Sequence, residues 1–185
     1  MRPVIFSIGH STRPFDQFLA LLREHRIRLL ADIRSIPHSR RNPQYDQAAL
    51  KRAMPSNGLV YEHLPALGGH RRACDHSPNT GWHNPAFRGY ADYMQTEAFE
   101  QGLLELLELS GTQAPVAMMC AEAVPWRCHR SMVADALVAR GTCVLHILGP
   151  GGTRAHRLNP MARTEGATLI YPAAFIPRDS ASPRK

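Results

Sequence analysis

The chain has 185 residues, 44% of them hydrophobic, enough to bury one core of ordinary domain size. Lys and Arg number 22 against 15 Asp and Glu, a formal net charge of +7 carried mostly by arginine, which favours an anionic partner with planar oxygens. No apolar run approaches the ~18–20 residues that span a bilayer, the first residues lack a secretory layout, and four cysteines in a chain of this size need not pair, so a cytoplasmic protein with reduced thiols is expected.

Residues 4–8 (VIFSI) read as a buried strand broken by Gly9. Phe15, Phe18, Leu19 and Leu22 then share one helix face. The run 28–34 (RLLADIR) is a second strand, and Asp32 and Arg34, two residues apart at its end, share a face and can form a buried pair that orients the following loop. Pro37 and Pro43 exclude a continuous helix there, and Asp46 is positioned to cap a short helix containing Leu50 and Met54. After a turn at 55–58, residues 59–64 form a third strand. Asn84 as N-cap with Pro85 in the first turn starts a helix whose apolar face is Phe87, Tyr90, Ala91 and Met94. A further helix buries Phe99, Leu103, Leu106 and Leu107 and stops at Gly111. Residues 115–120 (PVAMMC), a helix to about 140, and 143–148 (CVLHIL) continue the alternation. Residues 149–160 read as a turn-rich loop and 168–172 as a last strand.

Strands alternating with helices imply a single α/β domain over residues 1–172, with a mostly parallel sheet of about five strands and helices on both faces, and a flexible tail at 173–185. Parallel sheets bind ligands at the carboxyl ends of their strands. That rule gathers Gly9-His10-Ser11-Thr12, the arginine-rich loop RSIPHSRR at 34–41, Glu62-His63, the junction CAEAVPWRCHRS at 120–131 and His146 on one rim. In the junction, Pro125 in a first helical turn would leave Cys128 near a helix N-terminus, where a thiolate or a bound anion is stabilised. Two readings stand side by side: Cys128 as nucleophile, or Arg127 and Arg130 clamping an anion while Cys128 packs. Cys120 and Arg127 are one residue too far apart for a Cys-x5-Arg phosphatase loop, and Glu122 inside the loop opposes phosphate chemistry on that cysteine.

The loop at 34–41 suits bidentate binding of phosphate oxygens, or is a solvated basic loop. His10 is a proton-transfer group or a capped loop histidine. His70, Cys74, His76 and His83 lie in a long excursion at 66–84, but their spacing matches no standard structural zinc arrangement, and no metal site is expected. Neither a dinucleotide fingerprint nor a P-loop occurs, and the sequence names no cofactor.

The segments SIGHST at 7–12, ADIRSIPHSR at 31–40, YEHLPALGG at 61–69, MCAEAVPWRCHRSMVADAL at 119–137 and HI at 146–147 resemble the bacterial and archaeal family catalogued as domain of unknown function 488. The resemblance spans about residues 4–148 and implies a compact α/β domain. It groups His10, Ser11, Arg34, Ser39, Arg40, Glu122, Cys128, His129 and Arg130 as signature positions, and it supplies no reaction. The expectation that follows is an enzyme or enzyme-like domain that binds a phosphate-bearing ligand, a nucleotide or nucleic-acid end, at the strand carboxyl ends. Ser11, Arg34, Ser39, Arg40 and Arg130 would hold the anion, and His10, Glu122, Cys128 and His129 would move protons or attack. The competing expectation is a non-catalytic module binding nucleic acid or a partner through the same arginines. Neither requires a membrane, and neither sets the oligomeric state.

Overall fold

A computed structural model describes residues 3–165 and 168–173. The flexible tail expected at 173–185 lies, beyond Ala173, outside the described residues. The elements are β1 (Val4–Gly9), α1 (Phe15–Glu24), β2 (Leu29–Asp32), α2 (Gln47–Ser56), β3 (Val60–His63), α3 (Pro85–Tyr93), α4 (Glu97–Thr112), β4 (Val116–Cys120), α5 (Arg130–Ala139), β5 (Cys143–Gly149), β6 (Gly152–Ala155), β7 (Arg163–Glu165) and β8 (Thr168–Ile170). The main sheet runs β3-β2-β4-β1-β5-β6; its first five strands are parallel and β6 is antiparallel to β5. β7 and β8 form a separate hairpin.

The alternation of side chains along the strands builds two cores. On one face Ile8, Leu30, Ala117 and Met119 pack against Phe18, Leu22, Leu50 and Met54 of α1 and α2. On the other, Ile5, Leu29, Val116 and Met118 pack against Tyr90, Phe99, Leu103, Met132 and Val133 of α3, α4 and α5. Every residue of β2 and β4 is buried, as strands covered on both faces require. The result is the three-layer α/β arrangement expected from the alternating elements.

Four local readings are corrected. β6 replaces part of the expected loop at 149–160; all four of its residues are exposed, so no hydrophobic alternation marks it. α4 continues through Gly111 to Thr112, because the glycine meets open space and nothing there forces a stop. Asp46 occupies the N-cap position of α2 but does not cap it: its carboxylate accepts instead from the Ser39 amide at 2.7 Å and faces His38 Nδ1 at 3.0 Å. Pro125 heads a separate 3-10 turn, Pro125–Arg127, and α5 begins only at Arg130. Asn84 behaves as read, its side chain accepting from the Ala86 amide at 2.9 Å.

Candidate functional site at the strand carboxyl ends

β4 lies between β2 and β1. β1 and β2 lead into α1 and α2 on one face, while β4 leads into α5 on the other, so the chain opens a crevice at this switch of direction. Backbone pairing continues past the strands: the His10 amide donates to Cys120 O at 3.0 Å, the Ser11 amide to Ala121 O at 2.8 Å, and the Ile33 amide to Met119 O at 3.0 Å. Gly9 is demanded by this closeness, since a Cβ there would sit 1.7 Å from the Glu122 carbonyl oxygen.

Three side chains of the 120–131 junction form one wall. Cys120 ends β4 and Cys128 closes the 3-10 turn; both are almost fully buried, at 5% and 4% exposure. The His129 ring packs on Tyr90, and its Nε2 lies 3.0 Å from the Ile33 carbonyl, to which it must donate. That bond turns Nδ1 toward the sulfurs, 3.6 Å from Cys128 Sγ and 3.9 Å from Cys120 Sγ. A hydrogen bond from Cys128, with His129 and Arg130 close by, pulls the Cys120 thiol well below the ordinary thiol value despite burial. The same contact, together with burial, holds Cys128 well above it.

The expected anion ligands are distributed differently around this wall. Arg34 is clamped to Asp32, Nε to Oδ1 at 2.8 Å and an Nη to Oδ2 at 2.5 Å, and also donates to Tyr45 O at 2.8 Å. Tyr61 Oη completes the pair by donating to Asp32 at 2.8 Å. This is the buried, orienting pair read from the sequence. Arg34 Nη1 faces His10 Nε2 at 3.3 Å, and His10 donates from Nδ1 to the Ser11 carbonyl at 2.8 Å while stacking on Tyr45. Burial pushes the His10 pKa down, and the ring does not line the cavity.

Arg130 is 1% exposed, and its guanidinium donates to the carbonyls of Ile8 at 2.6 Å, Glu122 at 3.2 Å and Ala123 at 3.4 Å. The residue expected to hold an anion is thus placed as a strap tying the junction to β1, because α5 starts late enough to turn this arginine inward. Ser39 accepts from the Asn42 amide at 3.1 Å and shapes its own loop, Arg40 is exposed, and Ser11 has a left-handed backbone with φ 52°.

One cavity of about 400 Å³ opens in the crevice. Arg34, Glu122, Cys128 and His129 from the expected set line it; His10, Ser11, Ser39, Arg40 and Arg130 do not. The lining adds Ser35, His38, Cys120 and Arg127, from loops the strand-end rule had already gathered on the rim, and His70 and Phe87, which the sequence reading did not place there. The tight pairing of Cys120, Cys128 and His129 had a legible trace in their spacing, one cysteine at a strand end and a Cys-His pair before a helix. His70 lies in the 66–84 excursion and Phe87 follows it in α3, and nothing local announces that the excursion folds back. It does so because Asp92 accepts from the Cys74 amide, Ser77 Oγ and Asn79 Nδ2, while Ser35 Oγ donates to Gly69 O at 2.6 Å.

The family model described as domain of unknown function DUF488 matches residues 14–137. The chain belongs to this family. The match takes in β2, β3, β4 and most of α5, hence Cys120, Cys128 and every residue that lines the cavity of this DUF488 chain. No curated protein and no solved structure matches the chain. No helix among the described residues is long and apolar enough to cross a membrane.

Proposed function

We propose that this DUF488 protein is a cytoplasmic enzyme or enzyme-like domain that binds a phosphate-bearing small molecule, a nucleotide or a nucleic-acid end, in the crevice between the ends of β1, β2 and β4. The observation that carries the reading is the lining of one cavity. Guanidinium groups of Arg34 and Arg127 and imidazoles of His38 and His70 supply hydrogen-bond donors for anionic oxygens. Phe87 offers an apolar surface for a base or similar flat group, and Glu122 with the Cys120, Cys128 and His129 wall supplies the groups that can exchange protons with a ligand. The volume of about 400 Å³ lies within the range of ~300–1,000 Å³ typical of small-molecule sites. Arg34 is oriented by Asp32 before any ligand arrives, which is how a pre-formed anion site is built.

The second reading, a non-catalytic module that binds nucleic-acid backbone, draws on the formal net charge of +7. Thermal melting of the metal-stripped protein separates the two. Phosphate, sulfate, mononucleotides and single- and double-stranded oligonucleotides are each added at low and high salt. The enzyme-like reading predicts a melting-temperature rise from one small phosphate compound that survives salt and is lost in Arg127→Ala. Shifts from any oligonucleotide that vanish with salt favour the backbone module, and no shift from any of these compounds contradicts both.

A further inference from the structure

We infer that Cys120, Cys128 and His129 form a site for a thiophilic divalent cation, zinc above all, with a fourth coordination position facing the cavity. The inference does not depend on the phosphate reading; it stands on ligand type, spacing and support.

The donor set is two sulfurs and one imidazole nitrogen, which zinc takes readily and which hard, oxygen-seeking magnesium or calcium does not. Three protein ligands of the Cys2His kind with one open position are the arrangement of a reactive rather than a closed structural zinc. The three ligand atoms lie within 4.8 Å of one another. On a tetrahedral zinc, with bonds of ~2.3 Å to sulfur and ~2.05 Å to nitrogen, a sulfur and a nitrogen stand about 3.6 Å apart. Here Nδ1 is 3.6 Å from one sulfur and 3.9 Å from the other, both within a few tenths of an ångström of that separation.

The support is that of a metal site as well. A ligating histidine usually donates its second ring N–H to a carbonyl or carboxylate, and His129 donates Nε2–H to Ile33 O at 3.0 Å, which fixes the tautomer with Nδ1 free to coordinate. The Arg130 amide reaches Cys128 Sγ at 3.4 Å, adding a donor that stabilises a bound thiolate at the start of α5. Cys120 is fixed by the fully buried strand β4, and the His129 ring is held against Tyr90. Gly69 keeps the approach to the nitrogen clear: a Cβ there would stand 2.9 Å from His129 Nδ1. Among the described residues this is the one group of three cysteine, histidine or acidic side chains that converge closely enough for a metal; His70, Cys74, His76 and His83 do not gather into one.

The test begins with the intact, reduced protein stripped by chelator, reloaded with zinc or cobalt(II), and freed of loose ion. One zinc per chain is expected, and the cobalt form should show the intense visible bands of a tetrahedral site together with thiolate-to-cobalt charge transfer. Cys120→Ser, Cys128→Ser and His129→Gln should lose the bound metal, whereas Cys74→Ser and Cys143→Ser should keep it. Gly69→Ala leaves all three ligands present and should weaken zinc about 10- to 100-fold, the range of changes around a ligand shell. Should a ligand variant fail to fold, the wild-type protein still decides: zinc must slow alkylation of Cys120 and Cys128 and leave exposed Cys74 unchanged. Absence of stoichiometric zinc in the folded wild type, an octahedral cobalt spectrum, or equal alkylation of all cysteines with and without zinc would overturn the inference.

Discussion

Helix α5 carries chemistry at two points, and the two are built differently. At its start, His129 turns Nδ1 toward two sulfurs and the group opens onto the cavity. One and a half turns later, Asp135 anchors a second histidine chain that is closed from end to end. Ser7 Oγ lies 3.1 Å from His146 Nδ1, His146 Nε2 lies 2.9 Å from His156 Nδ1, and His156 Nε2 lies 3.0 Å from Asp135 Oδ1. With both rings neutral each N–H or O–H points the same way: Ser7 donates to His146, His146 to His156, and His156 to the carboxylate. Asp135 also accepts from the Asn159 amide at 2.8 Å and from Tyr171 Oη at 3.0 Å. Although a serine, two histidines and an aspartate in line suggest nucleophilic catalysis, Ser7 is completely buried in β1, and the chain stitches β1, β5, α5 and the segments after β6 and β8 together. Open coordination marks the candidate site; saturated hydrogen bonding marks the structural one.

The contrast breaks most visibly at the closed chain. Asp135→Ala strands a histidine, a buried tyrosine hydroxyl and an amide, and should cost about 3–5 kcal/mol in urea denaturation. Arg130→Ala should cost about 2–3 kcal/mol by leaving buried carbonyl oxygens without their donor, far more than the change in any anion affinity would account for. If Arg130→Ala instead abolishes ligand binding at unchanged stability, its place as a strap is wrong.

Acid should find the closed chain first. Burial, with the neighbouring His156 and Arg130, pushes the His146 pKa down to about 3 from its ordinary value of 6.5. The folded ring therefore stays neutral where the unfolded ring takes up a proton, so this residue's contribution is complete above pH ~6.5 and declines as pH falls from there toward 3. Denaturation midpoints between pH 7 and 4 measure that decline, and His146→Gln should make it shallower. On the open side effects on stability are small. His129→Gln should cost about 1 kcal/mol through the bond to Ile33. Arg127→Ala, at an exposed position, should stay within about 0.5 kcal/mol while weakening ligand binding at least tenfold.

How much was legible follows the same division. Helical face spacing in the segments that became α1 and α3, and short apolar runs in those that became β1, β2 and β5, carried the fold, because the helices bury one face and the strands are covered by them. β6 was invisible because it buries nothing. At the site, the strand-end rule gathered two of the loops that border the cavity but could not choose between Arg127 and Arg130. That choice depends on where α5 begins, and the 3-10 turn before it shifts the start past Pro125. The closed histidine chain joins residues 139 positions apart, Ser7 and His146, through β1–β5 pairing, and neither residue has a local pattern that names its partner.

Alkylation of the four cysteines, followed by mass spectrometry on the metal-free protein with and without the phosphate compound that raises its melting temperature most, tests the central claim most directly. A ligand in the crevice must slow modification of Cys120 and Cys128 while exposed Cys74 reacts as before. A compound that stabilises the fold yet leaves both crevice cysteines reacting at their original rates binds elsewhere, and would contradict the assignment of the site.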